Sequence, residues 1–271
     1  MSTLPKGKRV SRAFKRYARS MRARIRAATD TNHKSAPNGA VVYEGPSEFD
    51  QNVEIVVIVT FTSANRKTGP MSQAWIMLKD TAPQLAGDTS GVCGDCVHRR
   101  DLGGACYVDL YRAPRSIWLA YKAGRYPSLS PSKAADILSG GALRFGAYGD
   151  PAAAPITVWS PFLLTVKSWN GYTHAWKRLD SGLWGWLMAS ADTPADALRA
   201  TSAGWRTFRV RPIGGVLYDG EEECKSDSVG LSCLNCAGCN GTDYDPRRGK
   251  ASAGYVVNVH GSLMGRAAIS G

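Results

Sequence analysis

Long hydrophobic runs are missing from this 271-residue chain. The longest, Val53 to Phe61, is interrupted by Glu54 and Thr60. It falls far short of the about 20 apolar residues that cross a bilayer, so no membrane-spanning segment is expected. The first residues carry charge but no apolar core of a secretory signal, which makes the cytoplasm the expected compartment. Acidic side chains are scarce, 22 against 34 Lys and Arg, for a net charge of +12. Cysteine is absent outside two short stretches. The total is seven, and an odd number in a reducing compartment argues against a disulfide framework. There is no phosphate-binding glycine loop, no HExxH and no His-hydrophobe-His pair, which removes the common signatures of nucleotide hydrolases, zinc proteases and rolling-circle nucleases.

The cysteines that are present carry the strongest chemical signal. Cys93, Cys96 and Cys106 fall in one loop, and Cys224, Cys233, Cys236 and Cys239 fall near the other end. Two residues between cysteines let a turn bring both sulfurs onto one metal, and Cys93/Cys96, Cys233/Cys236 and Cys236/Cys239 all have that spacing. A zinc reading takes Cys93, Cys96, Cys233 and Cys236 as one closed tetrahedron and leaves three thiols over. An iron-sulfur reading uses all seven: three hold a four-iron four-sulfur cluster with one iron open, and four hold a saturated cluster. His98 can complete either site.

The positive charge is concentrated as well. Residues 1 to 35 hold 11 Lys and Arg against Asp30 alone, while the rest of the chain is nearly neutral. From Ser11 to Arg26, the apolar residues Phe14, Tyr17, Ala18, Met21 and Ile25 recur at helical spacing. Around them stand Arg12, Lys15, Arg16, Arg19, Arg22, Arg24 and Arg26. Such a helix suits nucleic acid phosphates bound without regard to sequence. A membrane-surface helix, an organelle transit peptide or a solvated tail has the same composition. Thr31 to Gly39 reads as a linker, which divides the chain into a basic arm and linker, 1–39, and a cysteine-rich metal-binding domain, 40–271.

In the second part, strand-like runs alternate with helices. Val53 to Phe61 and Gln73 to Leu78 read as strands able to pair as a hairpin. Helices are expected to start at Pro114, Pro131 and Pro194 and to end near Gly124, Gly140 and Gly204, with a fourth from Pro161. Further strands are expected at Leu143 to Tyr148, Asn170 to Thr173, Trp184 to Ala189, Trp205 to Val210 and Tyr255 to Val259. This order predicts an α/β fold with parallel strands, a partial or complete (β/α) barrel-like domain with two cysteine-rich metal loops and a basic N-terminal helical arm. In such folds, residues just past the strands' carboxyl ends converge on a ligand. Asp150, His174, Asp192 and His260 hold those positions as candidate catalytic groups, with the cysteines expected at the same edge. Each has a plainer reading, as a turn, a helix cap or a satisfied buried histidine. The tryptophans of the second half read as core in preference to a base-stacking platform.

The set VCGDC, ACYVDL, RFGAYGDP, GYTHAW, LMASAD, GWRTFRV and CLNCAGCNG resembles an uncharacterised cysteine-rich family encoded by bacteriophages and other mobile elements, over roughly Ala40 to Gly261. The resemblance implies a phage or plasmid setting, the host cytoplasm and a metal-binding α/β protein. The three-cysteine loop near the start of a βα run is also similar to radical S-adenosylmethionine enzymes, although their usual spacing is CxxxCxxC. That similarity implies S-adenosylmethionine as a cofactor of the open cluster. Two expectations result. One is an iron-sulfur enzyme acting on or near nucleic acid; the other is a non-catalytic nucleic-acid-binding protein with structural zinc, serving replication or packaging. A replication initiator is a third reading, with Tyr148 and Tyr172 placed by position as its nucleophiles.

Overall fold

The computed structural model describes residues 12–29, 37–178, 182–242, 244–245, 250–251 and 254–259; His260 lies outside them. The chain begins with helix α1 (Arg12–Thr29) and continues into strands β1 (Gly39–Pro46), β2 (Glu54–Thr60) and β3 (Ser72–Leu78). β2 is a Val/Ile run that suits a strand buried on both faces. Alternate residues accordingly serve two cores: Ile55, Val57 and Val59 join the main cluster, while Val56 and Ile58 pack with Trp75, Met77 and Tyr148. β1 and β3 each pair antiparallel with β2, so the expected hairpin is present with β1 added outside it.

After the one-turn helix α2 (Ser90–Cys93) come α3 (Ala113–Lys122), α4 (Pro131–Leu138) and β4 (Ala142–Tyr148). Then follow α5 (Ile156–Thr165), β5 (Ser168–Asn170), β6 (Tyr172–Thr173), β7 (Met188–Ser190), α6 (Pro194–Ser202) and β8 (Thr207–Arg211). The chain closes with β9 (Glu221–Glu223), one-turn helices α7 (Lys225–Ser228) and α8 (Cys233–Cys236), a small β10/β11 hairpin (Tyr244–Asp245, Lys250–Ala251) and β12 (Gly254–Asn258).

Three helices follow their local signals. α3, α4 and α6 carry Pro in the first turn. The Ser130 and Thr193 hydroxyls accept amide protons at the starts of α4 and α6, and Gly140 and Gly204 follow their ends at positive φ. The fourth differs: α5 starts at Ile156, and Pro161 lies inside it. An internal proline costs about 3 kcal/mol. Burial of Trp159, Phe162, Leu163 and Val158 on the same ten residues offsets that, at about 1.5–3 kcal/mol for each large side chain. The strand expected over Trp184 to Ala189 shrinks to β7 because Gly185 takes φ 76° and Trp184 turns outward, 55% exposed.

The strand order is β1-β2-β3-β4-β5 in one sheet and β6-β7-β8-β12-β9 in the other. From β3 onward every neighbouring pair in both orders is parallel. The sheets are consecutive in the chain, since only Gly171 separates β5 from β6. A Cβ there would lie 2.7 Å from Leu187 and 2.9 Å from Phe145, so glycine is what lets the chain pass between them. The described strands do not close into a barrel, which removes the complete-barrel alternative.

α1 is joined to this body. Met21 and Ile25 are buried in the main core, and the Arg24 guanidinium donates to the carbonyls of Ile137 and Ser139, 3.0 Å each, at the end of α4. A cation at a helix C-terminus satisfies carbonyls with no partner in the helix. Arg19 and Arg26 are exposed; the side chains of Arg12, Lys15, Arg16 and Arg22 lie outside the described residues. Among the described residues no helix is long and apolar enough to cross a membrane.

Candidate metal centres

The first cysteine loop leaves β3 and is braced by two arginines. Arg99 reaches Asp101, Asp88 at 2.8 Å and the Gly94 carbonyl at 3.0 Å; Asp101 also accepts from Thr89 at 2.5 Å. Arg100 donates to the carbonyls of Cys106 and Val108. The amide of Cys106 returns to the carbonyl of His98 at 2.9 Å, which folds the loop back so that its three sulfurs face one space. Burial pushes the Cys93 thiol well up, and the nearby Cys96 and Cys106 would raise it further as thiolates. Burial raises Cys106 as well. Thiols that resist joint ionisation are what a metal cation relieves.

That space is a cavity of about 130 Å³ at the carboxyl ends of β4, β6, β7 and β8. Asp150, His174 and Asp192 all reach it, as strand-end residues should. Their roles diverge. Asp150 is buried and accepts from the amides of Ala152 (2.9 Å) and His174 (2.8 Å), so its carboxylate fixes the turn that carries His174. Burial pushes its pKa up, and those amides pull it back.

Asp192 stands between two imidazoles. Its Oδ1 is 2.8 Å from His98 Nε2 and its Oδ2 is 3.1 Å from His174 Nε2. Burial works against a charged His174, but hydrogen bonds to Asp192 and Cys96 more than compensate and hold it up at about 10. Burial also opposes the Asp192 carboxylate, and the two imidazoles carry its pKa well below the usual range. The sequence offers His98 as a residue able to complete either cysteine site, but not its pairing with Asp192, 94 positions away. Tyr148 and Tyr172 line the same cavity, both with pKa values raised by burial.

The second cysteine group sits elsewhere. The amide of Cys233 donates to Lys67 and that of Leu234 to Thr68, just before β3. Cys239 accepts from the Gly171 amide ahead of β6, and Gly241 donates to Trp186 ahead of β7. Arg206, ahead of β8, donates to the carbonyls of Gly238 and Asn240. These anchors place Cys233, Cys236 and Cys239 at the amino ends of β3, β6, β7 and β8, opposite the cavity and not at the same edge, while Cys224 follows the carboxyl end of β9 and donates its amide to Val256. The zinc tetrahedron that would combine Cys93 and Cys96 with Cys233 and Cys236 is therefore not assembled. All four later cysteines, Cys224 included, line one tight space of about 10 Å³ with Asn170 and Tyr255. Burial, with the repulsion of the other three sulfurs, pushes Cys239 up to about 12 against a hydrogen bond from Tyr172.

No family model matches this chain, and no curated protein or solved structure does.

One half-buried cation, with its Nε shielded from solvent, belongs to this arrangement. Arg144, on β4, is bonded to the Tyr107 hydroxyl, while its Nε has no hydrogen-bond partner. Its electrostatic neighbours are Tyr107, Tyr172 and Cys233, with no carboxylate among them. An isolated buried guanidinium is costly unless an anion lies nearby. Neither its orientation nor its nearness to Cys233 is legible in the motif RFGAYGDP. Arg211, at the end of β8, is occupied by Glu223, Asn258 and the Gly215 carbonyl.

Proposed function

We propose that this chain is a phage-type iron-sulfur enzyme with two cysteine-held centres of different purpose. Cys93, Cys96 and Cys106 hold the centre at the cavity and leave one metal position open to a ligand. Cys224, Cys233, Cys236 and Cys239 hold a saturated centre that supports the fold and the electronics of the first. The observation that carries this reading is the arrangement of the two groups: three sulfurs face a cavity of about 130 Å³, and four surround about 10 Å³.

Cluster ligation is favoured over zinc by spacing. Four thiolates at about 2.3 Å from one zinc ion stand roughly 3.8 Å from one another. Among the described residues, His98, His174 and Asp192 form the group of three whose ligand atoms all lie within 4.8 Å, and no three cysteine sulfurs do. A cluster holds each thiolate on a separate iron and so suits sulfurs spread further apart. Arg144 supports metal ligation by this group in either form, because four thiolates around a cluster or a zinc ion leave net negative charge beside its guanidinium.

We read the parallel strands as part of a barrel whose mouth is the cavity, and S-adenosylmethionine as the first cofactor to try at the open position. The exposed arginines of α1 are the means of holding nucleic acid nearby, without sequence preference. Nucleic acid is not placed inside the cavity, whose described walls carry no Lys or Arg.

The test is anaerobic purification followed by iron, sulfide and zinc analysis and a visible spectrum. The expected result is a brown protein with labile sulfide and more iron than one four-iron cluster holds. Colourless protein with stoichiometric zinc would overturn the proposal in favour of a non-catalytic nucleic-acid binder.

A further inference from the structure

The cavity contains a second donor set that the cysteines do not use. His98, His174 and Asp192 each offer one ligand atom, and these atoms lie within 4.8 Å of one another. All three side chains are mostly buried, 15–18% exposed, and all three line the cavity. They come from three separate places: the first cysteine loop, the end of β6 and the end of β7.

Two observations point to a cation here. The first is spacing. Neighbouring ligands on an ion about 2.1 Å away stand roughly 3 Å apart; the carboxylate oxygens of Asp192 lie 2.8 Å and 3.1 Å from the two imidazole nitrogens. The second is charge. Two carboxylates, Asp150 and Asp192, line the cavity, none of the described lining residues is Lys or Arg, and the groups facing Asp192 are the two imidazoles, whose place as its countercharge a metal ion would take. Arg99 and Arg100 brace the loop through Asp101 and backbone carbonyls instead of entering the cavity.

We propose that His98, His174 and Asp192 form a mononuclear site for a divalent first-row metal, separate from the three-cysteine centre and opening into the same cavity. Two imidazoles and one carboxylate with open positions suit iron(II) or manganese(II). Cys96, which lines the cavity together with His174, marks where the two centres adjoin. A ligand entering the cavity would meet both. Asp150 is a positioning residue for this site, since it holds the His174 backbone. The assignment does not depend on which metal the cysteines take.

Manganese(II) is the probe, because hard divalent ions prefer nitrogen and oxygen donors to thiolates. Full-length protein is titrated with manganese(II) alone under anaerobic conditions, and the free ion is followed by its six-line electron paramagnetic resonance signal. One ion bound per chain is expected. Asp192→Asn and His98→Gln, which keep size and hydrogen bonding, should each weaken binding at least about tenfold. Asp109→Asn, at an exposed carboxylate outside the cavity lining, should leave it unchanged. Thermal melting establishes that the variants are folded, and if Asp192→Asn is not, His98→Gln decides. Absence of binding at millimolar manganese(II), unchanged affinity in the folded Asp192→Asn and His98→Gln variants, or loss of binding in folded Asp109→Asn would overturn the assignment and leave the trio as a hydrogen-bonded relay.

Discussion

The two cysteine groups use one residue type for opposite ends. At the carboxyl ends of the strands, three sulfurs share a cavity with two histidines and two carboxylates, and the walls are arranged to leave room. Around the second group, three of whose cysteines lie at the amino ends, four sulfurs and their backbone anchors fill nearly all the space. The contrast separates the part of a protein that must remain accessible from the part that must remain shut. Cysteine number alone would not have made it: the difference lies in what surrounds the sulfurs.

The sharpest way to break this comparison is one substitution in each group. Binding energy at a closed metal site is folding energy, on the order of 10 kcal/mol. Cys239→Ser should therefore leave the chain unfolded or insoluble, whereas Cys106→Ser should fold, keep the metal of the amino-end group and lose that of the cavity. Metal content and thermal melting of the two variants measure this, and equal behaviour would erase the distinction. A smaller effect tests the countercharge. Arg144→Met should destabilise the metal-loaded protein by about 3–5 kcal/mol, the cost of breaking a buried ion pair. The metal-stripped protein should be affected much less, because neutral thiols do not need the guanidinium. Denaturant melts of both forms decide it.

The smallest effect on stability belongs to α1. Replacing the exposed Arg19 and Arg26 by Ala should shift stability by no more than about 0.5 kcal/mol. It should also lower the salt dependence of nucleic-acid binding by about two counterions, roughly one for each phosphate that is no longer neutralised. Arg24→Ala should differ, costing about 1 kcal/mol for the two α4 carbonyls it leaves unbonded. Chemical denaturation and salt titrations of binding separate the two behaviours.

Much of the fold was legible because its signals are local. Pro131 and Gly140 bracket α4 whatever the rest of the chain does, and the Val/Ile run of β2 declares burial on both faces. α5 was harder, since the loss at Pro161 is local but the compensating burial of Trp159 and Phe162 is tertiary. The strand-end rule brought Asp150, His174 and Asp192 to one cavity, yet could not tell the carboxylate that fixes a turn from the one that faces two imidazoles. In α1 the spacing marked Met21 and Ile25 as an apolar stripe, but that the stripe docks into the main core is a tertiary fact its local charges do not carry. That the second cysteine group lies at the amino ends depends on pairings such as Cys233 with Lys67, for which no neighbouring residue carries a signal.

Those pairings also set an order of assembly. The ion pair of Lys67 with Asp227 joins residues 160 positions apart, beside the hydrogen bonds of Cys233 and Leu234 to the same loop. Closing so long a stretch of chain is slow and entropically unfavourable until the intervening strands have come together. The amino-end group is thus a clasp, fastened last, that records whether everything between its two halves has folded.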